Sequence, residues 1–300
     1  MIDIYKFIFF ISICIVSKTI INKFYSSNMN ISHKDLENLI NNLWTNDENK
    51  CTPEIDYSLN LQGKLKSFSV GQDMAKNNLF QMFDENRVFN RPTYKLFKKL
   101  LDNYEMQTGV LDVVTNQERN ENDEFINSIF KTKVIKLLHQ FLINHQLISP
   151  NIEDFKRELK KIWFDIYKRG NVPDSSGFEH VFVGELKDDQ IIGLHNWLQI
   201  YLQEKMGNIN YHGFFEHGTS NESGNPRIIT IQFTWKDGQT KPLGSSFIGT
   251  SPEFEIAFFT ALHFCNPDPK SVFQMGPYNL NLIHYKKQDR IASSYIKGLD

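Results

Sequence analysis

Cysteine is scarce in this chain: there are three in 300 residues, and Cys14 lies in an apolar N-terminal stretch, which leaves Cys51 and Cys265. That excludes a disulfide-stapled scaffold and any Cys-x-x-Cys redox or zinc motif. Two buried free thiols are expected, with one disulfide as the alternative in an oxidising compartment. Metal-ligand spacing is also missing, since there is no His-x-x-x-His and no aspartate-rich loop, and no Gly-x-Ser-x-Gly turn presents a serine nucleophile. Neither sign of charge dominates. Thirty-three basic side chains face 35 acidic ones, so no overall field captures a polyanion, and such a partner must be met by a local patch. The richest basic stretch holds Lys156, Arg157, Lys160, Lys161, Lys168 and Arg169 beside Glu158 and Asp165, and it reads as a solvated helix face. The apolar run Phe7 to Val16 is too short for a bilayer core of roughly 30 Å. With Lys6 before it and Ser17-Lys18 after it, the run has the form of a secretory leader, residues 1–17, removed near Ser17. An uncleaved signal anchor is the less favoured form. A secreted or luminal protein with no stable membrane insertion after processing follows, and Asn30-Ile31-Ser32 and Asn221-Glu222-Ser223 would then be glycosylation sequons.

What the chain does have is apolar content, 40% hydrophobic with 13% aromatic residues, enough for a large packed core. Ser32 followed by Asp35 predicts a helix start, with Leu36, Leu39, Ile40 and Leu43 at helical spacing as far as Trp44. Further helices are predicted from Pro92 to Leu101, around Val134 to Leu142, and from Ile152 to Tyr167, where Gly170 ends the run. Asn171 to Gly177 is a cluster of turn formers that separates this helical half, 32–170, from a β-rich half, 171–298. In the second half, Glu179 to Glu185 reads as a strand and Ile191 to Lys205 as an amphipathic helix. Ile229, Ile231, Phe233 and Trp235 alternate as another strand, and Asp237-Gly238 turns it into Thr240 and Lys241. Ser251-Pro252-Glu253 starts a helix whose stripe is Phe254, Phe258, Ala261 and Leu262; strands are predicted in Leu280 to Tyr285 and Arg290 to Tyr295.

Three side chains on separate elements have the chemistry to cleave a phosphodiester. One imidazole removes a proton, a second supplies one, and a cation holds the charge gathering on phosphorus. They are His180, His195 and Lys241. Strand alternation puts His180 on a face with Phe178 and Phe182, and Glu179 and Glu185 on the other, so the adjacent Glu179 is expected to point away from it and orient a loop or another element. His195, near the start of its helix, would be held neutral by the helix dipole and so able to accept a proton. Lys241 precedes Pro242 and is therefore extended, with Gly244-Ser245-Ser246 leaving room for a ligand. Taken singly, each of the three reads as structural: packed histidines and a surface lysine. His212, His217 and His284 read as surface or loop residues.

Three strings reverse that balance. Ser176-Gly-Phe-Glu-His-Val-Phe-Val-Gly-Glu185, Leu194-His-Asn-Trp-Leu-Gln-Ile-Tyr-Leu-Gln-Glu-Lys205 and Lys241-Pro-Leu-Gly-Ser-Ser-Phe-Ile-Gly-Thr-Ser-Pro-Glu-Phe-Glu255 resemble the EndoU (XendoU-type) poly(U)-specific endoribonuclease family. Leu43 to Asn49 and Asp56 to Gly63 extend the likeness into the helical half, so that it covers 32–298. The resemblance implies an α+β fold, a helical N-terminal lobe packed on a C-terminal lobe of antiparallel β-sheets with flanking helices. It implies cleavage of single-stranded RNA at uridylates, with 2′,3′-cyclic phosphate and 5′-hydroxyl ends, by a monomer that does not act on DNA. By motif position His180, His195 and Lys241 are the catalytic residues, Glu179 and Glu185 supporting acids, and Ser245 a uracil-recognition position. Ile291 to Tyr295 resembles a further family segment in which Ser293 keeps a hydroxyl and Tyr295 meets the base, but Ile296 stands where the family has proline. Within that scheme His195 is the base, His180 the acid and Lys241 the charge stabiliser. Manganese, or alternatively calcium, is implied by the resemblance alone, with Glu179 and Glu185 as contributors and no ligand set evident. A secreted RNA-binding protein of the same fold that cuts poorly is the alternative function.

Overall fold

A computed structural model describes residues 31–66, 72–217 and 227–299; the leader, Cys14 and both sequon asparagines lie outside them. The first half is helical. Helix α1 (His33–Thr45) begins where expected, with the Ser32 hydroxyl accepting from the Asp35 amide. A two-stranded ribbon, β1 (Tyr57–Leu59) and β2 (Phe80–Phe83), precedes α2 (Glu85–Phe89) and α3 (Pro92–Leu100). Helix α4 (Asn116–Ile129) opens on a full capping box between Thr115 and Glu118, and α5 (Lys133–Asn144) and α6 (Ile152–Phe164) follow. Helix α6 stops three residues short of the predicted end, because Asp165 is extended and Tyr167 has joined the short β3 (Tyr167–Lys168), paired with β4 (Pro173–Ser175).

Two predictions fail around the histidines. Glu179–Val183 is one turn of π-helix rather than a strand. The reason lies in Ser176-x-x-Glu179: the Ser176 hydroxyl accepts from the Glu179 amide while the Glu179 carboxyl accepts from the Ser176 amide, a capping box that turns the chain. Nor does a helix begin at Ile191. Residues 190–192 form β6 (Gln190–Ile192), paired with β5 (Glu185–Lys187), and α7 (Trp197–Lys205) starts only after Asn196 caps the Gln199 amide.

The larger sheet continues through β7 (Ile209–His217), β8 (Ile228–Trp235) and β9 (Thr240–Phe247) in the order β5-β6-β9-β8-β7, antiparallel apart from a single parallel contact between β6 and β9. A second sheet is formed by β10 (Val272–Met275), β11 (Tyr278–Lys287) and β12 (Arg290–Leu299). Between them runs α8 (Pro252–Cys265), capped by Ser251 as predicted, but buried on every side from Pro252 to His263 rather than along one stripe. It touches α1, α3, α5, β11 and β12, so both halves share one continuous apolar core. The fold is therefore α+β, as expected.

The structure also corrects two histidines and decides the thiols. His212 and His284 are buried, not superficial: His212 bonds Gln232 and Thr234 across the sheet, and His284 bonds Ser294. The His217 side chain lies outside the described residues. Cys51 and Cys265 are both free. Lys156, Arg157, Lys160 and Lys161 lie on a helix face as read, tied to Glu153, Asp154, Asp123 and Glu158, whereas Lys168 lies on β3 and Arg169 just after it pairs with Glu185. No helix among the described residues is long and apolar enough to cross a membrane.

Candidate active site

The π-turn swings its two kinds of side chain apart. Phe178 and Phe182 pack into the helical half against Phe97, Phe164 and Trp163, whereas His180 turns toward the sheet. Gly184, at φ +92°, ends the turn and returns the chain so that Glu185 meets His180, its Oε2 lying 2.5 Å from His180 Nδ1. This reverses the strand-based expectation, in which Glu185 pointed away. The other Glu185 oxygen accepts from Arg169 Nε at 3.0 Å. Burial alone would raise the Glu185 carboxyl, but the bond and charge of His180 and the charge of Arg169 outweigh it and hold Glu185 below the usual carboxylate range.

Glu179 does not touch His180. It is fully buried and pushed up to about 10 by that burial and by the nearby charges of Glu185 and Asp112, which keeps it protonated at neutral pH. The two glutamates do not fit a divalent cation: both oxygens of Glu185 are engaged by His180 and Arg169, and one of Glu179 accepts from the Ser176 amide. Among the described residues no three His, Cys, Asp or Glu side chains group as metal ligands.

His195 arrives on the loop between β6 and α7. Gly193 at φ +66° and Leu194 at φ +57° bend the chain, and the Leu194 and His195 amides donate to the carbonyls of His180 and Val181 at 2.9 and 2.7 Å. The imidazole precedes the helix cap, so it is not on the helix face that the sequence suggested. It is nonetheless held well below its usual range, first by burial and then by the charge of Lys241. Its Nδ1 lies 2.9 Å from the Ser245 carbonyl. A carbonyl can only accept, so Nδ1 carries the hydrogen and Nε2 of the neutral ring is left bare.

Lys241 lies on β9, where an irregularity opposite Ile231 to Phe233 bulges the strand and directs the lysine inward. It is buried, donates to the Gly193 carbonyl at 2.5 Å, and is lowered to about 8 by burial. The three predicted catalytic side chains are thus brought together around one loop, residues 193–195.

Ser245 reaches the same place through its backbone, while its hydroxyl pairs with Thr230 at 2.9 Å. On β12 the Tyr295 ring stacks on His195, centroids 4.7 Å apart at 12°. Ser293 and Tyr285 face each other across the β11–β12 ladder, and the exposed Tyr285 extends this face outward. Ile296, where a proline was expected, pairs with Leu282 in the ladder and packs into the core, so the strand passes through unbroken.

The Endoribonuclease XendoU family profile matches residues 35–296. The chain belongs to the XendoU endoribonuclease family. It is 41% identical over 280 residues to the Poly(U)-specific endoribonuclease-A of Xenopus laevis, covering 90% of this chain and 96% of that protein. It is 41% identical over 270 residues to the Uridylate-specific endoribonuclease B of Danio rerio, covering 87% and 95%. The solved structure of XendoU, described as a splicing-independent snoRNA-processing endoribonuclease, superposes with a TM-score of 0.78 at 40% identity and covers 90% of this chain and 98% of that one.

Sequence reasoning within the XendoU frame missed Arg169, which looked like part of a solvated face, and Tyr285. It also missed the Asn196 amide that donates to the buried Glu255 beside the His195 loop. The Ser-x-x-Glu capping box at 176–179 was the one signal that could have revealed the turn.

Proposed function

We propose that this chain cleaves single-stranded RNA on the 3′ side of uridylates, using the ribose 2′-hydroxyl as nucleophile. The observation that carries the assignment of roles is the difference between the two Nδ1 partners: a neutral carbonyl for His195 and a carboxylate for His180. His195 Nε2 takes the 2′-hydroxyl proton as the 2′-oxygen bonds phosphorus. His180, whose protonated form Glu185 favours, gives its Nε2 proton to the 5′-oxygen as that bond to phosphorus breaks. Lys241 keeps two N–H groups beyond the one given to Gly193, and these face the charge gathering on the non-bridging oxygens. The products are a 2′,3′-cyclic phosphate and a 5′-hydroxyl. Ser245, Ser293 and Tyr295 are proposed to meet the uracil, and no step is routed through a metal ion. A manganese or calcium requirement, if this chain has one, is proposed to lie outside the Glu179–Glu185 pair. Secretion belongs to the same proposal and rests on the leader, and action as a monomer rests on the family resemblance.

The test is an oligonucleotide with a single uridine among cytidines and adenosines, incubated with the purified protein and analysed by mass. One cut after the uridine, with cyclic phosphate and 5′-hydroxyl ends, is expected. A 5′-phosphate end overturns the chemistry, and binding without cutting favours the poorly cleaving alternative.

The pH dependence carries a separate prediction. Lys241 must be charged to act, and its pKa of about 8 in the free protein means that charge is lost as pH rises through 8. The kcat/KM profile, which reports free-enzyme groups, should fall first as His180, held below its ordinary range chiefly by burial, loses its proton, and again through pH 8 as Lys241 loses its charge. In Lys241→Arg, which does not titrate there, the activity that remains should lack this step. A step kept unchanged in the arginine variant would remove Lys241 from the profile.

A further inference from the structure

Arg169 sits in the turn between β3 and β4, on a different element from both histidines and from β12, yet it touches the supports of His180 and of β12. Its Nε donates to Glu185 Oε1 and to Ser175 Oγ, both at 3.0 Å. A terminal nitrogen donates to Tyr167 Oη at 2.8 Å and to the Ala292 carbonyl at 2.5 Å, and the guanidinium lies over the Tyr167 ring at 5.4 Å. Glu185 in turn holds His180. Ala292 adjoins Ser293 on β12, the strand whose Tyr295 stacks on His195. Only 22% of the arginine side chain is exposed.

We infer that Arg169 is a positioning residue that locks the His180–Glu185 pair to strand β12, so that one guanidinium sets the acid histidine against the strand that meets the base. The inference rests on the roles given above to His180 and to β12. Its physical basis is the planar fork of arginine, whose donors diverge at fixed angles and can satisfy a carboxylate, a hydroxyl and a carbonyl on different elements at once. A lysine would supply the charge from a single point and could not hold both Glu185 and Ala292. The electrostatics run in parallel. Burial lowers His180, the bond and charge of Glu185 pull it back up, and the charge of Arg169 pushes it down again. Removing the guanidinium takes away that last push, so His180 should keep its proton to higher pH.

The full chain is therefore compared with Arg169→Met and Arg169→Lys, reading kcat/KM against pH and the ratio of cleavage at uridylate over cytidylate. In Arg169→Met, kcat is expected to fall at least tenfold, the first alkaline limb, that of His180, to move to higher pH, and the uridylate preference to drop severalfold as β12 loses its tie. In Arg169→Lys the limb should return toward its original position while the preference stays low. An Arg169→Met protein that is merely less stable, with limb and preference unchanged, overturns the inference. If the methionine variant does not fold, the lysine variant decides, because a full uridylate preference there overturns it equally. The unsubstituted chain separates the two levels: if it makes no cyclic phosphate at uridylates the underlying function is wrong, whereas if it does, only the role of Arg169 is in question.

Discussion

Replacing either histidine by asparagine should lower cleavage of RNA by about 1,000-fold or more while leaving the protein folded. A proton-transfer step contributes typically 100- to 10,000-fold, and groups that act in one step lose about as much singly as together. Asparagine is the informative substitution. Its side-chain N–H₂ can reproduce the bond that His195 gives Ser245 and the one that His180 gives Glu185, so neither carbonyl nor carboxylate is left bare in the core. The two variants should then part company on a uridine phosphodiester with a nitrophenolate leaving group, which departs without a proton. His180→Asn should recover most activity on that substrate and His195→Asn should not. Melting curves within a few degrees of the parent's establish that the loss is chemical. Equal recovery in both variants would sink the assignment of acid and base, and full RNA cleavage by both would sink the site itself.

Gly193→Ala should be nearly as damaging, although residue 193 carries no functional group. A Cβ there would come to 1.8 Å from the His180 carbonyl oxygen and 2.8 Å from its carbon, far inside contact distance, and the backbone is at φ +66°. The His180 turn and the 193–195 loop must separate by more than 1 Å, and displacements of that size cost on the order of 100-fold when reacting groups are involved. Lys241 is moved too, because it holds the Gly193 carbonyl. Gly207→Ala is the control: at φ +73° it suffers the same backbone strain, but nothing lies within 4 Å of the added carbon. That variant should lose about 1–2 kcal/mol of stability from the left-handed conformation and keep its activity. If Gly193→Ala cleaves RNA as fast as Gly207→Ala, close packing of the loop against His180 is not what positions the site.

Local rules in the sequence determined a good deal of this protein. Side-chain hydroxyls with amides three residues on, and apolar residues at period 3.6 or 2, act over a few residues, so Ser32 and Ser251 start their helices, Asp237-Gly238 turns its hairpin, and a helical half precedes a β-rich one. The family strings likewise marked His180, His195 and Lys241 before any geometry was available. What alternation could not determine was the path between them. Glu179 to Glu185 alternates like a strand, yet the Ser176 cap and Gly184 wind it into a π-turn, and that turn made Glu185 rather than Glu179 the partner of His180. Helix α8 looked amphipathic because its sequence records only its own apolar residues, and its burial on all sides comes from the elements packed around it. Arg169 was the least legible of all. A guanidinium in a basic stretch looks the same whether it faces water or a carboxylate 16 residues away, and only the tertiary structure, by bringing Glu185 and Ala292 to within bonding distance of it, decided which.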